Sequence, residues 1–258
     1  MLGGRPLGVI ARNAVRPANY RALVNMPRRY PRLAECARRY FRRTGDYPFR
    51  CPVRTPSGVV EPTLWSWHDM LTVNEVFCRE DYRVRGEPRV VVDVGSNIGI
   101  SALYFLTESP AARCYLYEPV PTNCERLRAN LAAFEDRYEL EEVAVADREG
   151  SFPFATEPAG RYGGLDREEG ERITVRVRHI DSVLEDVLAR EGRVDVLKLD
   201  TEGAEARTVR AIRPELLVRV GTIYLEAEER GAAAPPGFDA SFRCETLRLT
   251  NRTPRAAS

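Results

Sequence analysis

Residues 90–100 have the sequence Val-Val-Val-Asp-Val-Gly-Ser-Asn-Ile-Gly-Ile. The β-branched run at its start is too short for a helix and predicts a strand that is buried on both faces. Gly95 permits a tight turn and lets a ligand approach bare backbone, and the residues after Gly99 predict a helix whose first N–H groups are unpaired. This pattern is typical of a nucleotide-cofactor pocket, although an ordinary turn between a strand and a helix also favours glycine.

The composition is typical of a globular protein. The chain has 258 residues, 43% of them hydrophobic and 30% charged, which is enough for one substantial core and a small extra lobe. No apolar run approaches the roughly 20 residues of a membrane span, and the N-terminus lacks the apolar segment of a secretory signal, although a cleaved transit peptide stays compatible with it. The six cysteines form no C-x-x-C pair. We therefore expect a soluble, cytoplasmic protein without a zinc site or a disulfide framework.

Charge is distributed unevenly along the chain. Residues 1–50 contain twelve arginines against Glu35 and Asp46, whereas the net charge of the whole chain is +1. A helix predicted over residues 31–43 carries much of this charge on one face. Such a face is usually solvated; the alternative is contact with an anionic surface such as a membrane, a nucleic acid or an acidic substrate.

The sequence predicts two domains, an N-terminal lobe over residues 1–86 and a main domain over residues 87–258, with Gly86 and Pro88 at the hinge. In the lobe, the apolar residues of 1–26 lack a regular spacing, which predicts an irregular arm. After it we predict the helix 31–43 with Leu33 and Phe41 on its packed face, a hairpin of residues 49–54 and 59–64, and a helix over 70–79 capped by Ser66 or Asp69.

From Val90 onward strands alternate with helices, which predicts a parallel sheet with helices on both faces. The predicted strands are 90–94, 114–118, 138–145, 194–199 and 220–226, and the predicted helices are 122–134, 181–190 (N-cap Asp181) and 207–217 (broken near Pro214). One or two antiparallel strands over 238–249 lie at the sheet edge, residues 152–154 and 173–177 pair outside the main sheet, and residues 157–170 predict a flap that closes over a substrate. The fold class is thus α/β, with a mostly parallel Rossmann-like sheet, an antiparallel edge strand and a small N-terminal α+β lobe.

Acidic residues lie at the ends of several of these strands. In an open α/β sheet the ligand binds beyond the carboxyl ends of the strands, so acids there are expected to face it. Glu118 follows Gly95 by 23 residues, a position at which a carboxylate accepts hydrogen bonds from ribose hydroxyls. The other strand ends carry Asp93, Glu142, Asp200 with Glu202, and Glu226.

These acids favour one cofactor over another. The turn from Gly95 to Gly99 is one glycine short of the GxGxxG of dinucleotide sites, and carboxylates repel a pyrophosphate. They suit a ligand that combines ribose hydroxyls, an amino group and a cationic centre. S-adenosylmethionine (SAM) is such a ligand, so we expect SAM rather than NAD, and an NAD-dependent oxidoreductase is the disfavoured alternative.

Five motifs resemble those of the FkbM family of SAM-dependent methyltransferases in order and spacing: VVDVGSNIG (91–99), YEPVP (117–121), LEEVAVADREG (140–150), HIDSVL (179–184) and LKLDTEGAE (197–205). The resemblance covers residues 68–228 and implies a seven-stranded class I methyltransferase fold and methylation of a substrate hydroxyl. It implies three sets of SAM contacts: Asp93, Gly95, Ser96, Asn97 and Gly99 at the methionine end, Glu118 at the ribose, and Glu142, Val143 and Ala144 at the adenine. The family often has a small polar residue where Glu142 stands, and the helix expected after the fifth strand is poor here.

Methyl transfer to an alcohol needs placement about 3 Å from the sulfonium methyl and a group that accepts the proton. The candidates are Asp200, Glu202 and His68, with His179 a weaker one. Asp200 could instead hold the SAM amino group, Glu202 could cap a helix, and a lone histidine is more often structural. No ligand spacing indicates a metal, although a divalent ion could bind Asp200, Glu202 and Glu226.

Lys198 is the single lysine of the chain and lies inside a predicted buried strand. A buried ammonium must pair with a carboxylate or lose its charge, so we predict a pair with Glu202, Glu226 or Asp93.

The sequence therefore predicts a SAM-dependent O-methyltransferase that acts on a hydroxyl of a sugar, glycan or natural product. The N-terminal lobe would cap the acceptor site, with Trp65, Trp67 and His68 in its wall. The alternative is a nucleic-acid methyltransferase or binder that uses the basic helix, but no [DNS]-P-P-[YF] motif follows the fourth strand. A homo-oligomer is left open.

Overall fold

A computed structural model describes residues 17–84, 86–156, 163–165, 171–201, 203–226, 234–243 and 246–252. The chain divides into two compact units, Met1–Arg83 and Val84–Ser258, and each is described by itself. Within the described part of the chain, no helix combines the length and the apolarity needed to cross a bilayer.

The N-terminal unit contains short strand pairs among helices. Its elements are α1 (Pro17–Arg29), α2 (Leu33–Arg42), β1 (Phe49–Arg50), β2 (Val53–Thr55), β3 (Gly58–Val60), β4 (Thr63–Leu64), α3 (Trp67–Val73) and a π-helix (Asn74–Arg79). Strands β2 and β3 form the predicted hairpin, and β1 pairs with β4 outside it. Ser66 caps α3 in a reciprocal capping box with Asp69, which confirms one of the two predicted caps, although the helix begins at Trp67 rather than at residue 70.

Helix α1 corrects the prediction of an irregular arm over residues 1–26, since the helix begins at Pro17. Ala22 and Met26 are buried, whereas Val24 is exposed, so apolar side chains lie on both faces of the helix. A helix with apolar residues on both faces shows no clear period in its sequence.

Helix α2 lies where it was predicted, but the predicted packed face is wrong. Leu33 and Phe41 are exposed, and Arg39 is buried instead. The guanidinium of Arg39 pairs with Glu35 at 3.3 Å and lies 3.9 Å over the ring of Phe49. These contacts neutralise the charge and cover one face of the guanidinium, which makes its burial tolerable.

The second unit contains two sheets and the helices between their strands. Its elements are β5 (Val90–Val94), α4 (Ile100–Glu108), β6 (Arg113–Tyr117), α5 (Pro121–Asn130), a 3₁₀-helix (Ala132–Arg137), β7 (Tyr138–Glu141), β8 (Ala144–Ala146), β9 (Gly150–Thr156), β10 (Gly163–Gly164), β11 (Glu171–His179), α6 (Ile180–Glu191), β12 (Val194–Leu199), α7 (Glu205–Ala211), α8 (Pro214–Leu217), β13 (Val220–Glu226), β14 (Phe238–Arg243) and β15 (Thr246–Asn251).

The main sheet has seven strands in the order β14-β15-β13-β12-β5-β6-β7. Strands β13, β12, β5, β6 and β7 are parallel, and β15 is antiparallel to both of its neighbours. Every residue of β5 and β12 is buried, as expected for central strands covered on both faces. The mostly parallel class I sheet is thus confirmed, with the antiparallel strand second from the edge because it enters the sheet as part of a hairpin with β14.

Two details of the predicted main domain are wrong. The third strand does not run from residue 138 to 145: it ends at Glu141, and β8 joins a second sheet of order β10-β9-β11-β8. The N-cap of α6 is His179 rather than Asp181, since the ring nitrogen of His179 accepts a hydrogen bond from the Asp181 N–H at 3.1 Å. The strand pair outside the main sheet is confirmed as β9 and β11. Most of the predicted flap over residues 157–170 lies outside the described residues.

Candidate active site

The sheet order places the predicted site residues side by side. From β5 the chain moves to β6 and β7 on one side and later returns to β12 on the other side, so the order reverses next to β5. Ligands of open α/β sheets bind at this reversal, beyond the carboxyl ends of the strands. The turn after β5 therefore lies between Glu118, which follows β6, and Asp200, which follows β12.

The turn depends on glycine at position 95. Its φ of +74° lies in the left-handed region, and a Cβ built there would come within 1.9 Å of the Asp200 carbonyl oxygen. The N–H groups of Gly95 and Ser96 both donate to the carbonyl of Tyr117, at 2.9 and 3.2 Å. The turn is thus held against the end of β6 on one side and the end of β12 on the other.

Gly99 continues the turn into α4 and also has a left-handed φ of +85°. Its N–H donates to the Ser96 carbonyl at 2.9 Å, and an added Cβ would lie 3.0 Å from the side chain of Leu127. The amide of Asn130 donates to the Ile98 carbonyl at 2.9 Å. Asn130 is a supporting residue that sequence reasoning missed, because nothing local links it to the turn.

Glu118 is a buried carboxylate that ties the end of β6 to the turn. One oxygen accepts the Asn97 N–H at 2.9 Å, and the other accepts the Val120 N–H at 3.0 Å and the Asn123 side-chain amide at 3.3 Å. Burial raises the pKa of Glu118, although these hydrogen bonds act in the opposite direction. A carboxylate offers about four acceptor positions, so Glu118 can accept a further hydrogen bond. Asn123 is a second residue that sequence reasoning missed.

We expect Glu118 to make stability fall with rising pH. Its pKa is raised above the ordinary value of 4.5, so the folded protein holds this proton more tightly than the unfolded chain does. Stability contributed by the protonated form is present at low pH and decreases, by about 1.4 kcal/mol for each pH unit crossed between the two pKa values, as pH rises. Urea unfolding of wild type and Glu118→Gln from pH 4.5 to about 8 checks this. The free energy of unfolding of Glu118→Gln should increase relative to that of wild type as pH rises. A difference between the two proteins that stays constant with pH would contradict the raised pKa of Glu118.

Lys198 lies within β12, and its ammonium contacts three oxygen atoms at the carboxyl ends of the central strands. Its Nζ atom is 2.9 Å from Asp93 Oδ1, 3.0 Å from the Gly95 carbonyl oxygen and 3.5 Å from Asp200 Oδ2. The second oxygen of Asp93 accepts the Ser101 hydroxyl at 2.5 Å. Burial lowers the pKa of Lys198, but Asp93 and Asp200 outweigh this effect and raise it to about 12. The predicted pairing of Lys198 with Asp93 is confirmed, and Ser101 was not anticipated.

Asp200 is the partly exposed carboxylate of the edge, with 32% of its side-chain surface accessible. Its N–H donates to the Val94 carbonyl at 3.1 Å, which holds it beside the glycine turn. The loop after it is held by buried Glu205, whose carboxylate accepts the N–H groups of Thr201 at 2.7 Å and Gly203 at 2.9 Å. Sequence reasoning assigned no role to Glu205, although this residue ends the motif at 197–205.

Glu202 and the predicted adenine contacts are the remaining candidates of the main domain. Glu202, the second candidate base, lies outside the described residues. The predicted adenine residues follow β7, next to the end of β6: Glu142 is half exposed and pairs with Arg128 at 2.7 Å, and Val143 and Ala144 are buried. As contacts to a cofactor these residues stay predictions.

His68 lies in the first turn of α3, in the N-terminal unit. Its ring is 5.2 Å from the ring of Trp67. The indole N–H of Trp67 donates to the Tyr40 carbonyl at 3.2 Å, and the guanidinium of Arg43 lies 4.0 Å over the Trp67 ring. These contacts give Trp67 a structural role within its unit, and the acceptor roles of His68, Trp65 and Trp67 stay predictions.

In the described ranges, no group of three or more His, Cys, Asp or Glu side chains is arranged so that it could hold a metal ion. The sequence-based set of Asp200, Glu202 and Glu226 includes one residue that lies outside those ranges.

Comparison with known proteins identifies the family. The family pattern of the methyltransferase FkbM domain matches residues 93–240, more than half of the chain. The chain is 29% identical over 161 residues to the 2-O-methyltransferase NoeI of Sinorhizobium fredii, covering 55% of this chain and 64% of NoeI. It is 24% identical over 211 residues to the 31-O-demethyl-FK506 methyltransferase FkbM of Streptomyces tacrolimicus, covering 69% and 81% of the two chains.

In two other matches, the aligned region covers a smaller share of the similar protein. The AMB antimetabolite synthetase AmbE of Pseudomonas aeruginosa is 27% identical over 202 residues, which are 64% of this chain but 10% of AmbE. The chain thus spans less than two thirds of both AmbE and NoeI. A solved FkbM methyltransferase from Methylobacillus flagellatus is 14% identical with a TM-score of 0.48, covering 90% of this chain and 58% of that one. On the match over residues 93–240, the chain belongs to the FkbM methyltransferase family.

Proposed function

We propose that the protein transfers a methyl group from SAM to a hydroxyl of a sugar, glycan or natural-product acceptor. The observation that carries the proposal is the edge of the sheet at which the glycine turn lies between Glu118 and Asp200. Family membership supports the reaction class. The names 2-O-methyltransferase NoeI and 31-O-demethyl-FK506 methyltransferase FkbM both specify O-methylation, which supports oxygen as the acceptor atom.

The residues of this edge fit SAM. Glu118 retains acceptor capacity for the ribose hydroxyls, and the carboxylate of Asp200 offers a negative charge on the other side of the turn. When bound, SAM supplies a methyl group on a positively charged sulfur. Two carboxylates flanking Gly95 suit a ligand that carries hydroxyls at one end and positive charge at the other.

The same turn fits NAD poorly. A pyrophosphate needs backbone N–H groups that are unpaired. The N–H groups of Gly95 and Ser96 donate to Tyr117, that of Asn97 donates to Glu118, and that of Gly99 donates to the Ser96 carbonyl. This set of internal hydrogen bonds supports SAM over a dinucleotide.

Asp200 is our choice for the group that accepts the proton. The acceptor oxygen forms a bond to the methyl carbon as the carbon–sulfur bond breaks, and the hydroxyl proton passes to a carboxylate oxygen of Asp200. Asp200 is partly exposed, so an acceptor can reach it, and Lys198 holds one of its oxygens.

Calorimetric titration of the protein with SAM and with NAD tests the cofactor. We expect saturable heat with SAM and none with NAD, since the N–H groups of Gly95, Ser96, Asn97 and Gly99 already donate within the protein. Saturable binding of NAD without binding of SAM would overturn the proposal.

A screen of SAM consumption over sugars, oligosaccharides and polyketide aglycones tests the acceptor class. Against the best acceptor, Asp200→Asn should lower turnover by about 10²–10⁴-fold, because general-base catalysis is worth that much. Arg113→Met, which alters a half-exposed ion pair with Glu139 at the start of β6, the opposite end of that strand from Glu118, is the control for general damage. If Asp200→Asn keeps the wild-type turnover, Asp200 is not the base.

A further inference from the structure

We propose that Lys198 is a positioning residue for the methyl-donor site, because its ammonium fixes both the Gly95 carbonyl and the Asp200 carboxylate in one arrangement. This inference rests on the proposed function. Asp93 lies beneath the turn and keeps the ammonium in place, while the turn and Asp200 meet the ligand.

The residue type supports this role. The chain has 39 basic residues, and Lys198 is its one lysine, so arginine serves at every other basic position. An ammonium is compact and has three rotatable N–H donors, whereas a guanidinium is a larger planar fork with five. Among the described residues, Asp93, Gly95 and Asp200 each place an oxygen 2.9 to 3.5 Å from the Nζ atom, and a compact ammonium can donate in these different directions.

Burial divides the partners of Lys198 into an inner and an outer one. The Lys198 side chain is 3% exposed, its partner Asp93 is 0% exposed, and Asp200 is 32% exposed. Asp93 and Lys198 are also paired across β5 and β12, so the strand register sets their distance. Asp93 and Lys198 are therefore held in a fixed geometry away from solvent. Lys198 in turn holds the Asp200 carboxylate at the edge of the sheet where the ligand binds.

The charge of the cluster fits its ligand. One ammonium and two carboxylates leave a net negative charge, and the exposed carboxylate carries it to the edge of the sheet. A positively charged methyl donor is attracted to such a cluster, and the low dielectric around buried groups strengthens the attraction.

The double variant Asp93→Asn with Lys198→Met separates positioning from stability. It removes the two fully buried charges together and leaves the Asp200 carboxylate, which is 32% exposed and therefore partly solvated, so the thermal stability should stay close to that of wild type. Calorimetric SAM affinity should nevertheless fall about tenfold, since hydrogen bonds to charged groups are worth that much. Asp200→Asn should cause a similar loss, and adding it to the double variant should cause no further loss. A double variant that binds SAM as tightly as wild type would overturn the inference.

A spectroscopic experiment tests the contact between Lys198 and Asp200 without any ligand. Its result does not depend on the proposed function. Labelling with ¹⁵N-lysine gives a single side-chain ammonium signal, because Lys198 is the one lysine. We expect this signal to move in Asp200→Asn and to stay in place in Arg113→Met, whose ion pair with Glu139 lies at the start of β6, away from the carboxyl ends of the strands. An unmoved signal in Asp200→Asn would refute the contact itself. Failure of wild type to bind SAM would refute the proposed function while leaving this result valid.

Discussion

Gly95→Ala is expected to abolish SAM binding and to lower the free energy of unfolding by about 2–4 kcal/mol. The added methyl group would lie 1.9 Å from the Asp200 carbonyl oxygen, a backbone atom that cannot rotate away. Alanine is also strained at the φ of +74°. Relief requires β12 and the turn to separate, which displaces Asp200 and breaks the contacts of Lys198. Urea unfolding and calorimetric titration measure the two effects.

Gly192→Ala is the matched control for this variant. Gly192 has nearly the same backbone angle, a φ of +77°, but nothing lies within 4 Å of an added Cβ. Gly192→Ala should therefore lower the free energy of unfolding only by the cost of backbone strain, about 1 kcal/mol, and should keep its SAM affinity. Equal losses in the two variants would mean that strain, rather than the approach of the Asp200 carbonyl, decides the effect at Gly95.

Lys198→Met alone is expected to lower the free energy of unfolding by about 3–5 kcal/mol. It leaves the carboxylate of Asp93 fully buried without its cation, and the Gly95 carbonyl loses a donor. Removing one partner of a buried pair costs more than removing both, because the remaining charge is not solvated. Urea unfolding at neutral pH measures the loss, since Lys198 keeps its charge far above that pH.

Arg128→Met is the control for Lys198→Met. The Arg128–Glu142 pair has a similar separation, 2.7 Å, but its side chains are 49% and 44% exposed. Water solvates the remaining Glu142 carboxylate, so the expected loss is under about 1 kcal/mol. If the two variants lose equal stability, burial does not govern the strength of the Lys198 pair.

Much of the fold could be predicted because its signals are local. The β-branched run before Gly95 and the alternation of strands and helices need only neighbouring residues to be recognised. The acids at the strand ends were also predictable as a group, because the carboxyl ends of parallel strands meet at one edge. The motifs at residues 91–99 and 197–205 then indicated the family, which the match over residues 93–240 confirms.

Some local signals were misleading because packing overrode them. Phe41 has the spacing of a packed residue, but Arg39 takes the buried position since Glu35 and Phe49 compensate its charge and cover it. The stretch over residues 138–145 suggested one strand, but it leaves the main sheet after Glu141 and pairs again with β11. In both cases a deciding partner, Phe49 or β11, lies on another element.

The sequence by itself determined the sheet, the glycine turn, the acidic edge and the family. Only the tertiary structure decided which carboxylate Lys198 pairs with, since Asp93 lies 105 residues earlier in the chain and meets it through the register of β5 and β12. The supporting roles of Asn130 and Glu205 at the turn and the neighbouring loop were likewise decided by packing. The physical reason is that side-chain type and spacing fix local conformation, whereas the partner of a buried charge depends on which strands become neighbours.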